Sequence, residues 1–210
     1  MPRYTTDVSD TLLYEEDVRG MFNQAKTEME RAFISILWLT GARPSEILML
    51  TKERIKIDHN KITILMPTLK LGGTKSFTVK DRTLEITRDS VRQDIEGRGK
   101  FAYQEAIVQY VNKLVQNSKI FPRTVRWAEK LINKLSLKVV GKILSPYHFR
   151  HSFFVWFARG GASLDDLMNW KGALSVQSVS PYLRAKPRQF DPKNLKRSRS
   201  EGEGEATKQQ

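Results

Sequence analysis

The chain contains no cysteine. That excludes disulfides, thiolate nucleophiles and zinc sites built on sulfur. No apolar run approaches the roughly 18 residues needed to span a bilayer. The N-terminus, Met1-Pro2-Arg3-Tyr4-Thr5-Thr6-Asp7, lacks the apolar core of a signal peptide. A soluble, intracellular protein is therefore the expectation. Negative charge is also in short supply. Against 36 Lys and Arg stand 23 Asp and Glu, a formal net charge of +13. A chain this basic suits a polyanion, nucleic acid first among them. Charge alone leaves open a ribosomal-type or merely soluble basic protein. The 210 residues suffice for one domain with a real core.

What is present reads as helices around a few strands. Tyr14 to Ala25 is expected to be helical, with Glu15, Glu16 and Asp17 in the first turn, where carboxylates suit the helix dipole. Thr27 to Leu39 places Ala32, Phe33, Ile36 and Leu37 on one apolar face, and Gly41 ends it. Pro44 fits the first turn of a short helix over Ser45 to Leu50. Ile62, Ile64 and Met66 alternate along a strand from Lys61 to Met66. Lys75 to Lys80 is a second strand after the Gly72-Gly73 turn, and Thr83 to Ile86 a third. Residues 88–100 are polar, helix or loop. Further helices are expected over Phe101 to Val115, Thr124 to Leu135, His148 to Arg159 and Leu164 to Trp170. A last one, capped by Ser175, would carry Tyr182. The fold class is α+β, mostly α-helical with a small antiparallel sheet. Residues 1–185 form the domain, with a polar lead-in over 1–12. Residues 186–210 are a basic and polar tail, Ser198 to Gln210 being of a composition that stays disordered.

Two short stretches carry most of the chemistry. Thr40-Gly41-Ala42-Arg43-Pro44-Ser45-Glu46-Ile47 and Tyr147-His148-Phe149-Arg150-His151-Ser152-Phe153 lie over a hundred residues apart. Val179-Ser180-Pro181-Tyr182-Leu183 follows. Two arginines and then a tyrosine suggest a site that grips a phosphate and attacks it with a phenolate. Phosphodiester cleavage by a protein hydroxyl needs cations on the non-bridging oxygens, help in deprotonating the attacking group, and a proton for the leaving 5′ oxygen. Arginine suits the first task because its planar fork pairs with oxyanions and stays charged. Glu46, three residues after Arg43, is near enough in a helical turn to brace the guanidinium. Arg150 sits between Phe149 and Phe153, so it needs a partner against the cost of burial.

These stretches resemble the two arginine boxes of the tyrosine recombinases, the phage-type integrases and their chromosomal relatives. The first box reads T-G-x-R-x-S-E-x-x-x-L, and the second P-H-x-L-R-H-T-F. The resemblance runs from about Leu12 to Leu183. It implies site-specific DNA cleavage and rejoining by a metal-independent strand transferase. Arg43 and Arg150 would clamp the scissile phosphate, and Glu46 would orient Arg43. Tyr182 would attack, giving a 3′-phosphotyrosine link and a free 5′ hydroxyl. A hairpin lysine, Lys70 or Lys75, would protonate the leaving oxygen. No cofactor is implied. Double-stranded DNA is the implied partner, with assembly into a tetramer on it, and a virus or other mobile element is a natural source. The family's separate N-terminal DNA-gripping domain is expected to be absent here.

The sequence departs from the family at two helper positions. Where a histidine usually precedes the second arginine by three residues stands Tyr147, with His148 adjacent; either fills the place. The usual histidine or tryptophan about nine residues before the nucleophile falls on Ala173. A longer loop would bring Trp170 there, donating its indole N–H to the phosphate. His151 reads as a supporting group. Lys52, Arg54, Lys75, Arg123 and Arg126 are the candidate DNA contacts, of the kind that fix position on a duplex and weaken with salt. Two other readings stay open: a DNA-binding module of the same fold with weakened or lost catalysis, and a basic structural nucleic-acid protein whose boxes are coincidental.

Overall fold

A computed structural model of the chain describes residues 12–71, 77–87, 100–173 and 175–183. Helix α1 spans Glu15–Gln24, with an Asp17 carboxylate oxygen accepting from the Tyr14 N–H at 3.1 Å. Helix α2 spans Glu28–Thr40 and starts on a reciprocal cap. The Thr27 hydroxyl accepts from the Glu30 N–H at 3.2 Å, and the Glu30 carboxylate accepts from the Thr27 N–H at 3.1 Å. All of Ala32 to Leu37 is buried, because α2 is packed on several sides at once. Phe33, for instance, meets Phe121 and Trp127 edge-on at 5.4 and 5.1 Å. Gly41 closes α2 in the left-handed region, at φ 59°. A Cβ there would stand 2.6 Å from the Phe153 ring, so glycine is required twice over. The short helix α3, Pro44–Ile47, follows.

A three-stranded antiparallel sheet comes next, in the order β1 (Ile55–Ile57), β2 (Lys61–Leu71), β3 (Phe77–Thr87). Here the structure differs from the expectation in three ways. β1 is a short strand that the pattern did not disclose. β2 does not stop at Met66 but continues through Pro67. Since β1 pairs only with Ile62 to Ile64, the outer side of β2 beyond them is an edge, where proline is tolerated. The two strands expected over Lys75–Lys80 and Thr83–Ile86 are one. Asp81 and Arg82 sit inside it, on opposite faces, opposite Pro67 and Met66. Arg82 shares the inward face with Leu84 and Ile86, which are buried.

Helices α4 (Lys100–Asn112), α5 (Val125–Val140), α6 (Pro146–Arg159), α7 (Leu164–Lys171) and α8 (Ser180–Leu183) complete the described chain. α5 runs past Leu135 to a left-handed Gly141, φ 73°. A 3-10 turn over Val176–Ser178 precedes α8. The main apolar core packs α1, α2, α4 and α5 with the inward face of the sheet. A second, smaller cluster gathers Leu12, Phe154, Val155, Leu167, Val179 and Tyr182. Among the described residues no helix is long and apolar enough to cross a membrane. Most of the lead-in, Lys75, the segment 88–99 and the tail from 186 lie outside the described residues.

Candidate active site

The site is built where α2 ends. Gly41 turns the chain, and Arg43 becomes the residue before α3, in extended conformation. Pro44 presets the first turn, so Glu46 reaches back over it. One Glu46 oxygen accepts from the Arg43 backbone N–H at 3.0 Å, the other from Arg43 Nη1 at 2.8 Å. Glu46 is fully buried and would be costly there without cations. A second cation supplies the balance: Arg82, from β3, donates Nη2 to Glu46 at 2.8 Å. Its Nη1 donates to the Thr68 hydroxyl at 2.6 Å and its Nε to the Trp170 carbonyl at 3.0 Å. Burial by itself would push the Glu46 carboxyl up. The hydrogen bond and charge of Arg82, then those of Arg43, outweigh it and hold the group below its ordinary value.

Arg150 projects from α6 and is 4% exposed. Its Nη1 donates to the Gly41 carbonyl at 2.8 Å and its Nη2 to the Lys171 carbonyl at 3.2 Å. The guanidinium lies 5.0 Å from the centre of the Phe154 ring. Burial, and then the neighbouring Arg43, lower its pKa to about 10, so it stays charged at neutral pH. Tyr182, on α8, is 6% exposed. Its ring tilts against those of Phe154 and His151, each 5.6 Å away. Burial pushes its phenol up to about 12. Tyr147 adds to that rise, and Arg150 and Arg43 oppose it.

Arg43, Arg150 and Tyr182 line one cleft of about 460 Å³, together with Ser45, Tyr147 and Lys171. The pattern of the phage integrase family matches residues 11–189 of the chain.

The chain belongs to the phage integrase family.

Its relatives include a tyrosine recombinase of Thermosipho africanus, 24% identical over 198 residues, which are 90% of this chain and 62% of the relative. A XerD tyrosine recombinase of Staphylococcus haemolyticus is 24% identical over 187 residues, covering 86% of this chain and 60% of that one. The chain thus spans about three fifths of the length of these curated relatives. Among solved structures, the XerH recombinase bound to its difH substrate superposes with a TM-score of 0.58 at 19% identity, over 82% of this chain and 50% of that one. The catalytic domain of bacteriophage HP1 integrase gives 0.52 at 20% identity, over 85% and 89%. At these identities the solved structures speak for the fold: a mostly helical integrase-family domain with a small antiparallel sheet.

In this integrase-family chain the candidate residues separate clearly. Arg43, Arg150 and Tyr182 converge, with Glu46 bracing Arg43. Of the two candidates upstream of the second arginine, Tyr147 lines the cleft and is exposed. His148 instead turns its Nδ1 to the backbone N–H of Ser145, at 3.1 Å, and burial lowers its pKa. His151 sits behind, its Nε2 buried without a hydrogen-bond partner among the described residues. The indole of Trp170 is engaged within the fold. The N–H donates to the Thr40 carbonyl at 2.9 Å, and the ring stacks on Phe153 at 5.9 Å. It is a strut between α7 and the end of α2. Lys70 lies within β2, its side chain outside what is described. Of the candidate DNA contacts, Lys52 is engaged with the Leu114 carbonyl, and Arg54 pairs with Asp81 at 2.9 Å. Arg123 and Arg126 are exposed at the start of α5.

Sequence reasoning missed Arg82. The adjacent Asp81-Arg82 looks like a break between strands, whereas strict alternation through Arg82, Leu84 and Ile86 would have put this arginine on the buried face.

Proposed function

We propose that this chain cleaves and rejoins DNA strands at specific sites through a 3′-phosphotyrosine intermediate. One observation carries the reading. Arg43, Arg150 and Tyr182, from three distant stretches, line a single cleft. In the proposed reaction the two guanidiniums hold the non-bridging oxygens of a phosphodiester as negative charge grows there. The Tyr182 oxygen gives up its proton to water as it attacks phosphorus, the bond to the 5′ oxygen breaks, and the 3′ phosphate stays on the tyrosine. Lys70 or Lys75 gives the 5′ oxygen its proton. Reversal with a new 5′ hydroxyl rejoins the strand, and bond energy is conserved, so the steps call for neither a metal ion nor a nucleotide cofactor. Glu46 and Arg82 position Arg43. Tyr147 offers a hydroxyl to the phosphate where a histidine would offer an imidazole. Arg123 and Arg126, both exposed, would meet the duplex backbone. Assembly as a tetramer on DNA inside the cell belongs to the same proposal.

The test is covalent capture. A library of nicked duplexes with a randomised core, which lose the leaving fragment on cleavage, is incubated with the protein. The expected result is a denaturant-resistant protein–DNA adduct enriched in one sequence. Tight binding without any adduct would favour a DNA-binding module that has lost catalysis.

Trp170 supplies a second check. Trp170→Phe keeps the stacking on Phe153 and loses the N–H bonded to Thr40. It is expected to cost about 1–2 kcal/mol of stability in urea denaturation and to leave the cleavage rate within about threefold of the parent. A hundredfold slower cleavage would return the indole to the phosphate.

A further inference from the structure

One cation in the cleft has no role in the steps above. Lys171 is the last residue of α7, and its position is fixed from several sides. Its carbonyl accepts from Arg150, and the carbonyl of Trp170 before it accepts from Arg82. The Trp170 indole is tied to Thr40. Gly172 after it is left-handed, and a Cβ there would stand 2.8 Å from the Thr68 side chain. With the helix end held by Arg150 and Arg82, the Lys171 side chain lies along the cleft. Its Nζ is 4.8 Å from the centre of the Tyr182 ring and 5.9 Å from that of Phe154, and it donates to the Ser178 carbonyl. No carboxylate pairs with it among the described ion pairs, and the one carboxylate lining the cleft there, Glu129, is exposed.

We propose that Lys171 is a third ligand of the scissile phosphate, its ammonium contacting a non-bridging oxygen beside Tyr182. The inference rests on the cleavage reaction proposed above. Lys171 keeps its proton throughout: phosphorus exchanges the 5′ oxygen for the Tyr182 oxygen, the phenol proton passes to water, and the proton for the 5′ oxygen comes from the hairpin lysine. It fills the place that counting along the sequence gives to Ala173, which also lines the cleft but has only a methyl group to offer. The electrostatics agree. Burial, and then the charges of Arg150 and Arg43, lower the lysine to about 8, so an arriving phosphate relieves a repulsion already present.

The experiment measures single-turnover cleavage of the nicked duplex recovered above, for the parent, Lys171→Gln and Lys171→Arg. Lys171→Met serves where the amide disturbs the helix end. The neutral variants are expected to cleave about 100- to 1000-fold more slowly, the usual effect of deleting one donor to a developing oxyanion. Lys171→Arg is expected to recover at least about tenfold of that loss. Phosphorothioates then separate contact from scaffolding. For one of the two sulfur diastereomers, the slowing caused by sulfur should shrink at least about fivefold in Lys171→Gln, because the donor that distinguished oxygen from sulfur is gone. Parent-like cleavage by Lys171→Gln would overturn the inference and leave the proposed function standing. So would unchanged sulfur effects, which a purely structural lysine predicts. Failure of the parent itself to form an adduct would overturn both.

Discussion

Replacing Tyr182 by phenylalanine is expected to abolish the covalent protein–DNA adduct and to leave DNA affinity within about twofold of the parent. The oxygen lost is the one that would bond phosphorus, so cleavage falls to the background of the assay and not to an intermediate rate. Affinity should be spared, because under the proposed function phosphate contacts spread over a basic surface carry most of it. The fold is spared too. The ring packs in the smaller apolar cluster, against Phe154 and His151. Phenylalanine keeps those contacts and the aromatic face under Lys171, so the expected stability change is below about 1 kcal/mol. Denaturing gels of the trapped duplex read the adduct, and fluorescence anisotropy reads binding. An adduct that survives in Tyr182→Phe would shift attention to Tyr147, the other phenol lining the cleft. Its loss in Tyr147→Phe would then exchange the two roles.

Glu46→Gln is expected to be the most destabilising single change at the site, costing about 3–5 kcal/mol. The carboxylate is fully buried, and Arg82, its partner from β3, has a side chain only 9% exposed. An amide keeps the shape but leaves that guanidinium buried without its counter-charge. Arg43 loses its brace as well, so the variant binds and cleaves more weakly even at temperatures where it is folded. The effect has a pH signature. The folded protein holds the Glu46 carboxyl below its ordinary value of 4.5. A depressed carboxyl adds stability that is fully present above its unfolded value and is lost as pH falls through its folded one. Denaturant titrations of parent and variant should therefore differ by a constant amount near neutrality and converge below about pH 4.5. A difference below about 1 kcal/mol at pH 7 would mean that water already reaches Arg82 and that the pair contributes little.

The legible parts of the site were those written locally. Arg43 and Glu46 are three residues apart, and a single helical turn fixes their relation. Arg150 and Tyr182 stood out because each lies in a motif of a known family. The hidden parts depend on contacts across the chain. Arg82 meets Glu46 from 36 residues away, across a strand that its charged neighbour made look broken. Trp170 has the right chemistry to touch a phosphate, yet its N–H is taken by a carbonyl at the end of α2, a choice made by packing. Lys171 was masked by counting, since a fixed spacing from the nucleophile pointed to Ala173. In the fold, the helix starts expected at Thr27, Thr124 and Leu164 lie within one residue of the observed ones, where the hydroxyls of Thr27, Thr124 and Ser163 accept from the first turn. The end of α5 was not readable, since it depends on Gly141 and not on where the apolar pattern thins. β1 was too short to show a period of its own.

Arg150 has one more consequence, for what evolution or a designer could put in its place. Its fork joins the carbonyl that ends α2 to the carbonyl that ends α7, and it still carries N–H groups beyond those two bonds. Two helices thus turn the negative ends of their dipoles toward one planar cation. The residue is a junction: two arms hold the architecture, and under the proposed function the remainder would meet the phosphate. Lysine has three donors on a single nitrogen and lacks the fork whose two separate nitrogens reach the two carbonyls. The position therefore has no conservative neighbour in the genetic alphabet, and a change there disturbs scaffold and chemistry together.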